Sequence, residues 1–123
     1  MEMVEGIAQI ALTVRDLPKA TAFYRDILKL RHLFDAPNMS FFDLAGTRLL
    51  LSAQGGDPGG RGTLVYLKVA DTTVAHDSLS KDGVVFEQVP HIIGRTPTKE
   101  VWLAWCADPD GNLLGLMSEK PIH

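Results

Sequence analysis

The sequence predicts an α+β fold made of two copies of a unit that contains one strand, one helix and three further strands, in the order βαβββ. Two strand-like runs, Ile7–Val14 and Thr63–Val69, each lead into a helical stretch through an aspartate. Each half then closes with a glycine turn and an apolar run, at Gly46 and at Gly111. An internal repeat of this kind predicts architecture more firmly than any single motif.

The first half begins with a strand at residues 7–14, which is rich in apolar and β-branched residues. Asp16 is a favourable N-cap, and Pro18 suits the first turn of the helix that follows. Three strands come next, at 30–34, 39–44 and 47–53, with turns between them. Apolar residues recur at helical spacing after the cap, which predicts one buried helix face made of Leu17, Ala20, Phe23, Tyr24, Ile27 and Leu28.

The second half repeats this order after a glycine-rich segment, 54–62, which is predicted to be a flexible linker. A strand at 64–69 precedes a helix that Asp71 caps and Gly83 ends. We therefore predict a single domain over residues 1–123, with a first unit at about 5–53 and a second unit at about 63–119. Within the second unit the later strands are predicted at 84–93, 101–107 and 112–118, with a polar loop at 94–100 and a turn at 108–111.

Composition limits the class of protein. A chain of 123 residues with 46% hydrophobic and 22% charged residues has enough apolar content for one core. The net charge of −3 predicts no nucleic-acid partner, and the absence of a long apolar stretch predicts no membrane partner. The acidic start of the chain is unlike a secretory signal, and Cys106 is the sole cysteine, interpreted as a small buried apolar residue. These features predict a cytoplasmic location.

Three stretches carry a resemblance to a known family: Ile10–Leu17, Ala22–Leu28 and Asp108–Leu114. Together with the repeat order, they resemble the vicinal oxygen chelate superfamily, which includes glyoxalase I, bleomycin resistance proteins and extradiol dioxygenases. The resemblance implies that each unit curls its mixed sheet and that paired units close a glyoxalase/bleomycin-resistance-like cup. Because small members of the superfamily usually dimerise, it also implies a homodimer.

Metal-dependent members of that superfamily bind a divalent ion through side chains of the first and last strand of each unit. The matching positions in this chain are Gln9, Leu50, Leu64 and Gly115. The usual family sequence has Glu at the last of these positions. Only Gln9 carries a donor atom, whereas a metal site needs about three or four protein ligands. The resemblance therefore implies a protein without the usual metal site and without a metal cofactor.

Strand alternation predicts which side chains line the cup. They combine an apolar floor with hydrogen-bonding groups and two cations, which suits a small organic molecule with an oxygen-rich or anionic edge. Gly115 is expected to leave room where a metal ligand normally sits. The ligand-binding residues predicted from this alternation are Gln9, Thr13, Arg48, Ser52, Tyr66, Lys68 and Gly115.

Four further residues are candidates for the site. Trp102 and Trp105 are three residues apart on a predicted strand and face opposite sides, so one of them is expected to stack on a planar ligand. Glu100 borders Trp102 and is a candidate polar group beside an aromatic wall. His91 follows Pro90 in a strand beside the cup, where an imidazole can act as a general base.

Two functions from different classes remain open. The first is a metal-independent protein that binds a small organic molecule, similar to the bleomycin-resistance branch, for sequestration or sensing. The alternative is an enzyme, a glyoxalase-like lyase or isomerase or a dioxygenase. That enzyme would use either a divalent metal bound through Gln9 with His91 and Glu100, or a metal-free mechanism with His91 as the catalytic base.

Overall fold

The computed structural model describes Met3, residues 7–53 and residues 63–122. The chain divides into two compact units, Met1–Gly59 and Gly60–His123, and each contains one βαβββ repeat. The predicted α+β class and the repeat order are therefore confirmed. The predicted linker at 54–62 and the start of the first unit at about residue 5 lie outside the described residues.

The first unit forms a four-stranded mixed sheet in the order β1-β4-β3-β2. Strand β1 runs parallel to β4, and the other neighbours are antiparallel. Its helix begins as predicted, because the Oδ1 of Asp16 accepts a hydrogen bond of 3.1 Å from the backbone N–H of Lys19. The elements are β1 (Gln9–Thr13), α1 (Leu17–Ala22), a π-helical turn (Phe23–Ile27), β2 (Arg31–Ala36), β3 (Met39–Leu44) and β4 (Thr47–Ser52).

The second unit repeats this topology, with strand order β5-β8-β7-β6 and the first strand again parallel to the last. Asp71 caps its helix by accepting a 3.1 Å hydrogen bond from the backbone N–H of Val74. Gly83 follows the helix with a φ of 89°, in the left-handed region that glycine adopts without strain. The elements are β5 (Val65–Lys68), α2 (Thr72–Lys81), β6 (Val85–Arg95), β7 (Lys99–Ala107) and β8 (Leu113–Pro121).

The predicted loop at 94–100 is wrong. Strand β6 continues to Arg95, β7 already starts at Lys99, and a 2.8 Å bond from the Thr96 N–H to the Lys99 carbonyl closes a tight hairpin. The last strand likewise extends to Pro121, which pairs with Lys99. Backbone hydrogen bonds hold the ends of β6, β7 and β8 together here. The residues are mostly polar, so the sequence lacks the apolar alternation that predicts a strand.

The core of each unit lies between its helix and one face of its sheet. As alternation predicted, the buried residues Leu12, Leu49 and Leu51 share a face in the first unit, and Leu114 and Leu116 in the second. Each helix is also tied to its sheet by a buried hydroxyl pair, Thr21–Ser40 at 2.9 Å and Thr72–Ser118 at 2.6 Å. In the described parts of the chain, neither helix has the length and apolar character needed to cross a membrane.

Candidate functional site

Helix α2 covers one face of the sheet of the second unit, and we call the opposite face of that sheet the open face. Strand register aligns Tyr66, Gly115, Trp105 and Gln88 in one row across β5, β8, β7 and β6. The next row contains Lys68, Met117, Leu103 and His91. Residues directly opposite each other point to the same face, so these side chains form one surface about 14 Å wide, given strands about 4.8 Å apart.

An aromatic pair occupies the centre of the open face. The rings of Tyr66 and Trp105 meet edge to face, with centroids 5.0 Å apart and planes inclined at 66°. Both rings lie over Gly115. A Cβ atom built there would be 3.0 Å from Cζ3 of Trp105 and 3.2 Å from Cδ2 of Tyr66.

The expectation that Gly115 leaves an empty place is therefore wrong. Trp105 and Tyr66 are the direct neighbours of Gly115 on its two flanking strands, and their rings fill the space that a side chain at this position would need. A Cβ atom at this position would need the two rings to shift by a few tenths of an ångström.

Beside the aromatic pair lies a groove of about 420 Å³, lined mainly by Tyr66, Lys68, Lys99, Met117 and Glu119. The ring of Tyr66 is half exposed there, at 51%. Lys99 and Glu119 form an ion pair with a distance of 3.3 Å between Nζ and Oε2. A smaller hollow of about 280 Å³ is lined by Trp105 with Glu87, Gln88 and Leu113.

Trp102 and Glu100 lie on the opposite face of the same sheet. The indole N–H of Trp102 donates to Oε1 of Glu100 at 3.4 Å, and the Nζ of Lys120 lies 4.6 Å from the centre of the Trp102 ring. The same ammonium is 3.5 Å from Oδ2 of Asp71, the N-cap of α2. Of the two tryptophans, Trp105 thus faces the open side, and Trp102 packs near the helix.

His91 lies at the β6 end of the open face and is partly exposed. Its Nδ1 is 2.9 Å from the backbone carbonyl of Val89. Because a carbonyl only accepts, Nδ1 carries the hydrogen and Nε2 is left with the lone pair in the neutral ring. Glu100 lies on the helix side of the sheet, so His91 and Glu100 do not converge on one ion.

The remaining candidates belong to the first unit. The pairs Gln9–Arg48 and Thr13–Ser52 align across β1 and β4, on the face away from α1. The guanidinium of Arg48 lies 5.5 Å from the centre of the Phe34 ring and 5.7 Å from that of Phe41, and these two rings stack at 4.3 Å. Neither phenylalanine was predicted to lie near these residues, although alternation along β3 is the signal that identifies Phe41.

Lys99 and Glu119 were also missed, for a different reason. Lys99 lies in the predicted loop at 94–100, and Glu119 follows the predicted last strand at 112–118, so neither residue was expected in the sheet. Their pairing depends on how far β7 and β8 extend together. A polar stretch gives no local signal of that extension.

Comparison with known proteins identifies the family. The sequence model of the Glyoxalase/Bleomycin resistance protein/Dioxygenase superfamily matches residues 6–116. The chain belongs to this superfamily.

Solved structures agree with this assignment. A superfamily member from Sphaerobacter thermophilus is 27% identical, with a TM-score of 0.77 and coverage of 95% of this chain and 99% of that one. A lactoylglutathione lyase from Agrobacterium tumefaciens shares the fold at 22% identity and a TM-score of 0.76, with 94% of each chain covered. TnmS3, an antibiotic binding protein from a Streptomyces species, shares the fold at 24% identity and a TM-score of 0.76, covering 98% of this chain and 100% of that one.

The residues at the superfamily's metal positions do not fit a divalent ion. Leu50 and Leu64 have no donor atom, and two rings cover Gly115, which leaves the amide of Gln9 as the sole donor. Within residues 7–53 and 63–122, no group of three or more His, Cys, Asp and Glu side chains converges on a possible ion. A single amide oxygen does not bind a divalent cation against water.

Proposed function

We propose that this superfamily member binds a small organic molecule with a flat ring system on the open face of its second unit, without a metal ion. The observation that carries the proposal is the aromatic pair of Tyr66 and Trp105 over Gly115. At the position where metal-dependent relatives have a ligand for their ion, this chain has an aromatic surface. The role we propose is sequestration or sensing of that molecule.

The dimensions and chemistry of the open face support this proposal. A groove of about 420 Å³ falls within the range of roughly 300–1,000 Å³ that small-molecule sites occupy. Aromatic contacts contribute about 0.5–1.5 kcal/mol each beyond the area they bury, and they tolerate variation in the ligand. The antibiotic binding protein from Streptomyces is a precedent for binding on this fold, and we propose the same kind of role here.

Tryptophan fluorescence tests the proposal directly, because Trp102 and Trp105 are the two tryptophans of the chain and lie on opposite faces of one sheet. A library of planar aromatic and antibiotic-like molecules is first screened by thermal shift. Molecules that raise the melting temperature are then titrated against Trp102→Phe, which leaves Trp105 as the sole reporter. We expect saturable quenching of Trp105.

Matched variants give the decisive comparison. Trp105→Ala is expected to weaken binding about tenfold or more, since it removes a stacking surface at the ligand, whereas Trp102→Ala keeps the wild-type affinity. Equal affinities for the two alanine variants would refute the proposed site, and the absence of any stabilising molecule in the library would refute the function.

A second function is favoured by one observation at His91. Its Nδ1–H is directed to the Val89 carbonyl, which leaves Nε2 as a proton acceptor on the open face. A metal-free lyase or isomerase with His91 as its base is therefore the second candidate. Activity on glyoxalase or dioxygenase substrates that disappears in His91→Ala and persists in His76→Ala, a histidine of α2, would establish it. Activity that persists in His91→Ala would eliminate it.

A further inference from the structure

Resting on the proposed function, we infer that the molecule bound on the open face is an aromatic oxyanion whose negative group lies at Lys68 while its ring contacts Tyr66 and Trp105. The charges that line the groove support this assignment.

The groove contains two lysines and one glutamate with different surroundings. Lys99 is neutralised by Glu119, at 3.3 Å. The side chain of Lys68 is exposed and has no ion-pair or hydrogen-bond partner among the described residues of the chain. The described residues of the groove therefore leave one positive charge uncompensated, and a bound group that supplies the opposite charge would be favoured at that end.

The spacing along β5 connects this charge to the aromatic surface. Tyr66 and Lys68 are two residues apart and point to the same face, so their Cα atoms are separated by about 7 Å. The lysine stem is flexible and its ammonium is a compact point charge with three donors. A carboxylate or sulfonate attached directly to a ring that contacts Tyr66 and Trp105 lies within its reach.

The Lys99–Glu119 pair affects how strongly the groove is expected to favour anionic over neutral ligands. While Glu119 holds Lys99, the second lysine adds little attraction for an anion, and the glutamate itself repels one. Neutralising Glu119 should therefore free Lys99 and strengthen the binding of an oxyanion. A neutral ligand of the same shape should not respond.

The test uses the full chain and three probes of one shape: naphthalene-2-carboxylate, naphthalene-2-sulfonate and the neutral naphthalene-2-carboxamide. Their dissociation constants are measured by quenching of Trp105 in the Trp102→Phe background. We expect both anions to bind about fivefold tighter than the carboxamide, the upper end of what an exposed charge pair supplies. The carboxylate and sulfonate arms separate the two kinds of oxyanion.

Lys68→Met should remove the preference for anions, so that the three probes bind with similar affinities. Lys81→Met, the same change at an exposed position of α2, should keep the preference. Glu119→Gln should increase the affinity for both anions and not for the carboxamide.

These measurements distinguish a failure of the anion-binding role of Lys68 from a failure of the aromatic site. Equal binding of all three probes, or an anion preference that survives in Lys68→Met, would overturn the anion-binding role and leave the aromatic site standing. Failure of all three probes to quench Trp105 would overturn both.

Discussion

Gly115 and the two rings over it are the features that most separate this chain from a metal-dependent relative. Glycine in the interior of a strand ordinarily weakens it, because it has no side chain to pack. Here the missing side chain is replaced by contacts from Trp105 and Tyr66 on the flanking strands. An acidic residue at this position would add one donor to Gln9, while Leu50 and Leu64 would still offer none.

The first prediction concerns this packing. Gly115→Ala should lower the free energy of unfolding by about 1–3 kcal/mol, because its Cβ would lie only 3.0–3.2 Å from Trp105 and Tyr66 and the two rings would have to shift. Gly94→Ala is the matched control, since nothing lies within 4 Å of a Cβ at that position of β6. Urea denaturation of both variants measures the difference, and equal stabilities would show that the rings move aside at no cost. In a Trp105→Ala background, the cost of Gly115→Ala should fall.

The second prediction concerns Cys106. Burial, with a smaller effect of the Asp108 charge, raises the pKa of its thiol to about 11, and the thiol donates to the Leu114 carbonyl at 3.6 Å. At pH 8 only about one thiol in a thousand is ionised, so the folded protein should react with a disulfide reagent far more slowly than the unfolded chain.

The raised pKa of Cys106 also makes the stability of the folded protein depend on pH. An unfolded thiol has a pKa of about 8.5, so the folded state holds the proton more tightly. The contribution of Cys106 to stability is complete below pH 8.5 and is lost as the pH rises toward about 11. Native reactivity as fast as that of the unfolded chain would contradict the burial of this thiol.

At the scale of elements, helix α2 depends on its first residues. Asp71 caps the helix, and the hydroxyl of Thr72 meets that of Ser118 in β8. Thr72, the residue after the cap, thus links the start of the helix to the strand that contains Gly115.

The third prediction tests that cap. Asp71→Ala should lower the melting temperature by a few degrees, whereas Asp71→Asn should retain most of the stability, because asparagine caps about as well. The N–H of Val74, with a further effect of Lys120, holds the pKa of the Asp71 carboxyl below its usual value.

The stability that this ionised carboxyl contributes is therefore complete above its ordinary pKa of about 4 and is lost as the pH falls through the lower, folded value. The difference in melting temperature between wild type and Asp71→Ala should be largest at pH 7 and shrink below pH 4. Thermal unfolding followed by circular dichroism at pH 7, 5 and 3 measures it. A difference that does not change with pH would contradict the ionised cap.

At the scale of the whole molecule, oligomeric state is the fourth prediction. Strand β6 is at the edge of its sheet and exposes Val85, Val89 and Ile93 by 68%, 63% and 49%. Apolar side chains clustered on an exposed edge strand are typical of an interaction surface. We expect a homodimer, with a light-scattering mass twice the 13.5 kDa of the chain.

Val89→Lys should shift that mass toward the monomer. Val74→Lys is the control, because Val74 is equally exposed, at 64%, on helix α2. A monomeric wild-type protein, or the same effect from both variants, would exclude a dimer through β6.

The fifth prediction is metal content. Protein purified without chelator and then incubated with zinc, nickel, manganese or iron(II) should retain far less than one ion per chain after dialysis, because the four superfamily positions offer one donor. Elemental analysis measures this. Near-stoichiometric, tightly held metal would mean that the ligands come from other positions, and it would support the hypothesis of a metal-dependent enzyme.

Sequence alone determined the parts of this protein that rest on local signals. The βαβββ repeat, the caps at Asp16 and Asp71, and the buried face of leucines follow from alternation, helical spacing and capping chemistry, all of which act over a few residues. The absence of donors at three of the four metal positions was equally visible, because it depends on residue type.

Only the tertiary structure decided what depends on pairing between distant strands. Trp105 lies on the open face and Trp102 on the helix side, and two rings occupy the space beside Gly115. Lys99, from a segment that was predicted to be a loop, lies in a strand and pairs with Glu119. Register and strand length are set by hydrogen bonds between segments far apart in the chain, and a shift of one residue reverses the face of every side chain. The contacts among the candidate site residues therefore could not be predicted from the sequence.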